Sequence, residues 1–213
     1  MKALLIYSGG LDSTTLLYEY RESIALAVSF DYGSKHNARE LAYAAENCKR
    51  LGIKHLVIPL AFIGQYFKSD LLLSGGAIPE GSYADENMKS TVVPFRNGIM
   101  LAVAAGLAES YELDAIMLAN HSGDHAIYPD CRPAFIDAFA SAVEAGTYNG
   151  VKLLSPYCNL TKREIALRGR ELGVDYSLTY SCYKGGEKHC GKCGTCTERK
   201  EALEGFDPTP YAE

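Results

Sequence analysis

No apolar run in the 213 residues approaches the roughly 20 that a bilayer-spanning helix needs. A membrane-spanning helix is therefore not expected. The first apolar run covers only residues 3–7 and passes straight into glycines. That is not the pattern of a secretory signal, so a cytoplasmic location is expected. No Lys/Arg block stands out except around residues 162–170, and the net charge is −5. A nucleic-acid binder would normally carry a basic footprint, and this chain has none. Internal repeats and low-complexity tracts are absent too. Apolar residues make up 47% of the chain, enough for a buried core. The length suits one sizeable domain with a small appendage.

Ala3-Leu4-Leu5-Ile6-Tyr7 breaks directly into Ser8-Gly9-Gly10-Leu11-Asp12-Ser13-Thr14. Strand, glycine turn, then helix is how a backbone builds an anion cradle. The glycines let main-chain N–H groups approach a phosphate. A helix expected from about residue 14 to 20 aims its positive end at the same point. The hydroxyls of Ser8, Ser13 and Thr14 add donors. The Gly-Lys-Ser/Thr ending of a Walker A loop is missing. The segment resembles instead the Ser-Gly-Gly-x-Asp-Ser loop of the ATP pyrophosphatases, which cleave ATP between the α and β phosphates. The plainer reading, an ordinary tight turn, would need only the Gly pair.

Further along, apolar runs alternate with helical patterns, which predicts an α/β fold with a doubly wound, mostly parallel sheet. Strands are expected at 24–30, 55–60, 115–118 and 151–154. Helices are expected at 37–51, 98–110, 133–145 and 162–172. Thr161-Lys162-Arg163-Glu164 is a capping box that opens the last of these. Residues 62–91 carry few periodic signals and read as a lid or mobile insertion. A division follows: a nucleotide domain at 1–176, then a zinc-binding segment with a terminal helix at 177–213.

Four of the seven cysteines fall at Cys182, Cys190, Cys193 and Cys196. Their Cys-x7-Cys-x2-Cys-x2-Cys spacing suits a closed, structural tetrahedral zinc site. An iron–sulfur cluster is the main competitor, but Thr197 stands where a Pro would be expected. A redox pair is less suited, because a dithiol needs only two sulfurs. His189 reads as a solvated neighbour. Cys48 and Cys158 read as small buried residues. Cys131 lies in a loop after a strand and is a candidate nucleophile.

Ligands of open α/β sheets sit at the carboxyl ends of the strands. The stretch from Phe30 to His36 follows the second strand, so it should line the same crevice as the first loop. Phe30 and Tyr32 are placed to hold adenine, and Lys35 and His36 to reach phosphate or substrate. A polar connecting loop is the alternative. Arg96 opens a helix whose composition demands burial, and a buried unpaired charge is costly. It should meet a phosphate or carboxylate. His36, His121, Asp124 and His125 are candidate bases. Lys162 points to the ligand edge, or is an exposed helix lysine.

Together, Ser-Gly-Gly-Leu-Asp-Ser, Phe-Asp-Tyr-Gly-x-Lys-His, Ser-Thr-Val-Val-Pro-x-Arg-Asn, Tyr-Pro-Asp-Cys-Arg and the four-cysteine tail resemble the 7-cyano-7-deazaguanine synthase family, QueC. The resemblance runs from Lys2 to about Lys200. It implies an adenine nucleotide alpha hydrolase-like fold and a ligase. Such an enzyme turns 7-carboxy-7-deazaguanine and ammonia into the nitrile, using ATP with Mg²⁺, on the route to queuosine or archaeosine. Two rounds of adenylation would remove two waters. By the resemblance, Ser8, Gly9, Gly10, Leu11, Asp12 and Ser13 hold pyrophosphate and metal. Arg96, Lys162 and His36 lie near phosphate or substrate, with Asn97 and Tyr128. Asp130 takes the guanine-like edge, and Arg132 steadies Asp130 or the substrate carboxylate. The four cysteines hold zinc. A homodimer is common in that family, and with no glutaminase segment visible, free ammonia is the nitrogen source.

Two segments depart from the family pattern. Phe95 replaces a Gly, and Asp124-His125-Ala126-Ile127 replaces Asp-Phe-Ser-Gly. Both changes are expected in the substrate pocket. The alternatives are a relative that stops at the amide or takes another carboxylate, a tRNA sulfurtransferase of the same fold, and a non-catalytic zinc-knuckle module.

Overall fold

The computed structural model describes residues 1–82 and 86–212. Five strands form one parallel sheet: β1 (Ala3–Ile6), β2 (Ile24–Asp31), β3 (His55–Pro59), β4 (Ala115–Met117) and β5 (Lys152–Leu154). Their order is β3-β2-β1-β4-β5, so the chain changes direction beside β1. That switch point opens a crevice above the carboxyl end of β1.

The helices are α1 (Leu11–Glu19), α2 (Asn37–Leu51), α3 (Ala61–Tyr66), α4 (Arg96–Ser110), α5 (Pro133–Gly146), α6 (Lys162–Glu171) and α7 (Gly194–Ala202). Alternate residues of β1 feed two cores. Leu4 packs with Leu101 and Ala104 of α4 and Ile136 of α5. Ala3 and Leu5 pack with Leu16 and Leu17 of α1, Ala44 of α2 and Ile165 of α6. The expected doubly wound arrangement is thus present, and the strand period of two decides which helix each residue meets.

Two helices begin earlier than the sequence suggests. α1 starts at Leu11, three residues before the expected start, because extended Gly10 already serves as its N-cap. Asp12 and Ser13 therefore lie in its first turn. α4 starts at Arg96, after Phe95 adopts the left-handed conformation at φ 54°. A glycine would sit there without strain.

The 62–91 segment carries more structure than its composition suggests. It holds α3, a 3₁₀ turn at Glu86–Thr91, a bridge from Leu72 to Ser34, and buried Leu71, Ile78 and Met88. Lys35, expected near phosphate, instead donates to the carbonyls of Asp70, Gly75 and Gly76. Residues 83–85 of that expected insertion lie outside the described residues.

The α1–α6 packing depends on the absence of a side chain at Gly169. A Cβ there would lie 2.0 Å from Tyr176 Oη and 2.7 Å from Thr15 Oγ1, which hydrogen-bond each other at 2.9 Å. Gly106, exposed on α4, has no atom within 4 Å of its would-be Cβ. Gly169→Ala should therefore cost about 2–3 kcal/mol by overpacking. Gly106→Ala should stabilise by roughly 0.5–1 kcal/mol. Urea unfolding of the two variants measures both, and a loss at position 106 would contradict this account.

Candidate active site

The loop after β1 is shaped by contact with α2. Gly9 has φ 85°, and a Cβ there would come 2.4 Å from the carbonyl oxygen of Glu40. From the other side, the Tyr180 N–H donates to the Gly9 carbonyl at 3.1 Å. Ser8 Oγ accepts the Gly10 N–H at 3.1 Å and shares a hydrogen bond with Ser13 Oγ at 3.0 Å. α1 has Gly10 as its N-cap, which brings no side-chain cap, and among the described residues none is supplied from elsewhere. Its first N–H groups are left for a ligand, and the helix dipole favours an anion there. Thr14 does not join this set: it is buried, and its hydroxyl pairs with Tyr7 Oη at 3.1 Å.

A cavity of about 210 Å³ opens on the loop. Ser8, Gly10, Leu11, Asp12 and Ser13 line one side, and Phe30, Tyr32, His36, Arg96, Asn97 and Lys162 complete the wall. Most residues singled out in the sequence are thus brought together. Lys162 is not an exposed helix lysine, because its side chain is only 11% exposed. Its Nζ lies 3.3 Å from Asp12 Oδ2 and 2.7 Å from Glu198 Oε2. Burial alone would pull this ammonium down. Asp12 and Glu198 outweigh that and hold it above the ordinary lysine range. Among the described residues Asp12 Oδ1 is buried without a hydrogen-bond partner.

The opposite corner holds a different kind of pair. His36 is buried, with Nε2 3.4 Å from Glu40 Oε2 and 3.5 Å from Tyr32 Oη. Burial, then the nearby charge of Arg96, pushes His36 down to about 3. Burial pushes the Glu40 carboxyl up to about 8, although Arg96 opposes the rise. At neutral pH the histidine is uncharged and the acid largely protonated. Arg96 donates to Tyr32 Oη at 2.9 Å. Among the described residues no carboxylate forms an ion pair with it, so the acidic partner expected from the sequence is left to a ligand.

Tyr128, Asp130 and Arg132 do not line this cavity. Asp130 Oδ2 accepts the backbone N–H of Asn97 at 2.8 Å and so caps the start of α4. Asn97, not Arg132, steadies it. Arg132 is exposed and donates to the His125 carbonyl at 2.9 Å. Tyr128 Oη pairs with Tyr183 Oη at 3.1 Å. Cys131 lines the cavity, but burial pushes its thiol up, away from nucleophile character. His121 and Asp124 are engaged in capping each other's backbone. The departures at Phe95, His125, Ala126 and Ile127 also lie outside the cavity wall. Phe95 stacks edge-on against Phe135 at 5.6 Å, and Ile127 packs with Met88.

The sequence reading missed Glu40 and Glu198. Glu40 sits four residues after His36, one helical turn on, and that spacing was a usable signal. Glu198 had none, since only the fold brings α7 to α6.

The four sulfurs of Cys182, Cys190, Cys193 and Cys196 lie within 4.8 Å of one another. Cys190 and Cys196 are 3.9 Å apart. Zinc–sulfur bonds of ~2.3 Å set tetrahedral edges of about 3.8 Å. Backbone N–H groups of Cys190 and Cys193 point at sulfurs at 3.3 Å, as thiolates require. The donor set fits a closed zinc site. His189 is not solvated: it is buried, accepts the Ser181 N–H at 3.1 Å, and packs on Tyr180. Cys158, expected to be buried, is half-buried near His125 and Asn120. On α7, Arg199 is 1% exposed and donates to Thr179, Ser181, Thr209 and the Tyr176 carbonyl. The cysteine helix is thereby wired to the stretch that pins Gly9.

One zinc per chain should appear by native mass spectrometry. Its removal by chelation should lower the melting temperature, because α7 loses its anchor. The His36–Glu40 corner sets a pH response. Unfolded, the histidine titrates near 6.5 and the acid near 4.5. From about pH 6.5 down to about 3 the unfolded chain binds the extra proton, so stability falls as pH falls. From about 4.5 up to about 8 the folded chain holds the extra proton at Glu40, so stability falls as pH rises. The slopes cancel between 4.5 and 6.5. Thermal melts should show this pair's plateau there, and Glu40→Gln should remove the decline above it.

The chain matches the family described as queuosine biosynthesis protein QueC over residues 2–207. The 7-cyano-7-deazaguanine synthase of Porphyromonas gingivalis is 66% identical over 212 residues, covering 98% of this chain and 96% of that protein. That of Desulfotalea psychrophila is 55% identical over 214 residues, covering 98% of each. Among solved structures, NMN synthetase from Francisella tularensis superposes with a TM-score of 0.51 at 14% identity, over 87% of this chain and 68% of that one. That last likeness concerns the fold alone. By a match along nearly its whole length and by close relatives that it covers almost completely, the chain belongs to the QueC family.

Proposed function

We propose that the chain is a 7-cyano-7-deazaguanine synthase, which converts 7-carboxy-7-deazaguanine, ammonia and ATP to the nitrile, AMP and pyrophosphate. One observation carries this beyond the relatives' names. The uncapped start of α1, with Lys162 and the unpartnered Asp12 oxygen beside it, is a ready anion site with a place for a cation.

On this reading the backbone of Ser8, Gly9, Gly10, Leu11 and Ser13 receives the β and γ phosphates. Asp12 Oδ1 would hold Mg²⁺, which offsets phosphate charge when bound. Lys162 holds the bridging region where charge develops as pyrophosphate leaves. Phe30 and Tyr32 flank the adenine. Arg96 takes the substrate carboxylate, aligning one of its oxygens with the α phosphate. Adenylation turns that oxygen into a leaving group, ammonia displaces AMP, and the amide is activated the same way before it loses AMP to give the nitrile. Asn97 lines the cavity beside Arg96, while Tyr128, Asp130 and Arg132 act behind the wall, setting the start of α4 and hence Arg96. Residues 1–176 carry the nucleotide chemistry, and 177–213 brace it. Among the described residues no helix is long and apolar enough to cross a membrane, in keeping with a cytoplasmic enzyme.

The test is a reaction with ATP, Mg²⁺, ammonium and the acid, followed by mass spectrometry of base and nucleotide. Nitrile with AMP is the expected result. Amide alone would mean that the second activation is lost, and no base product would sink the substrate assignment. Lys162→Met should lower AMP formation by about 100-fold or more.

A further inference from the structure

We propose that Glu40, backed by His36, is the group that receives ammonium and removes its proton before attack on the acyl-adenylate. This rests on the synthase reading above, and it names where the nitrogen enters.

Gly9 packs on the Glu40 backbone, so the Glu40 side chain is held beside the phosphate loop. Its Oε1 lies 3.9 Å from where a Gly10 Cβ would stand. In the same corner stand Tyr32, whose Oη lies 3.5 Å from His36 Nε2, and Arg96, assigned to the substrate carboxylate. An acyl-adenylate joins those two places, so its reactive carbon passes next to Glu40. The carboxyl side chain is only 15% exposed, and among the described residues its one close polar partner is His36. Among the described residues His36 Nδ1 is buried with no hydrogen-bond partner. A buried acid and an unsatisfied ring nitrogen in one corner are costly unless a ligand uses them.

The chemistry of the corner suits a small nitrogen ligand. Carboxylate oxygens accept hydrogen bonds, and uncharged His36 has a ring nitrogen that accepts one too. The Tyr183 ring lies 5.3 Å from that of His36 and offers a further surface for a cation. Arg96 opposes a cation here while the cavity is empty. Once a substrate carboxylate lies on Arg96, that charge is offset and ammonium is admitted. In the empty cavity Glu40 is held near 8 and is largely protonated, but an ammonium cation beside it favours the ionised form, so the carboxylate is available around neutral pH once ammonium binds.

One N–H bond of ammonium breaks and an O–H bond forms on the Glu40 carboxylate. The freed nitrogen lone pair attacks the acyl carbon, forming the C–N bond. The C–O bond to AMP breaks, and its electron pair leaves on the phosphate oxygen. That oxygen takes the second proton lost by nitrogen, and the neutral amide remains.

Glu40→Gln separates the steps. Acid-dependent exchange of labelled pyrophosphate into ATP needs no ammonium and should stay within about twofold of the wild type. Amide formation from ammonium should fall by about 100-fold or more. Hydroxylamine is largely uncharged at neutral pH and needs no base to free its lone pair, so hydroxamate formation should survive in the variant. A merely structural role would lower amide and hydroxamate together, and that result, or unchanged amide formation, overturns the proposal. Circular dichroism checks the fold. If the Gln variant is unfolded, Glu40→Asp is judged by the same split, with partial amide formation expected and equal loss of both products overturning the idea. Absence of acid-dependent exchange in the wild type would sink the synthase reading itself and this inference with it.

Discussion

Gly9 lies so close to α2 that no side chain fits between them, and the rest of the site follows from that contact. The loop after β1 is pressed on the Glu40 carbonyl and held from behind by the Tyr180 N–H. Its position fixes the first turn of α1, where Asp12 and Ser13 stand. The same contact fixes the first turn of α2, where Glu40 stands one turn from His36. A left-handed glycine at this point therefore locks two helix starts to one strand end. This is the switch point of the sheet, where strand order opens a crevice.

The two corners of the cavity solve the burial of charge differently. Around Lys162, opposite charges are gathered at 2.7 and 3.3 Å, so the ammonium is held charged. Around His36, the groups are left without charged partners of their own and are pushed toward neutral forms. One corner suits holding a highly charged phosphate chain. The other suits moving a proton.

Much of this was legible in the sequence because it depends on local rules. The Ser-Gly-Gly loop, the capping box at Thr161 and Glu164, the α2 limits and the cysteine spacing are each written in a few adjacent residues. What was not legible came from long-range packing. Asp130 reads as a ligand group but caps α4, because tertiary folding brings it under the Asn97 N–H. His189 reads as solvated but is enclosed by Tyr180 and Tyr211, residues whose approach no spacing announces. Phe95 reads as a change within the pocket. The left-handed turn before α4 instead directs its ring outward onto Phe135.

The cysteine helix has a consequence for the birth of the protein. Strands, loop and most of the cavity wall are encoded before residue 172, yet the lock on Gly9 comes from Tyr180. Lys162 meets its shorter ion pair only at Glu198, and buried Arg199 finds a partner as late as Thr209. During synthesis the chain leaves the ribosome from its N-terminus. The phosphate loop therefore emerges long before the residues that hold it still. A nascent chain has a sheet with an unbraced cradle until Tyr180 and then Glu198 have emerged.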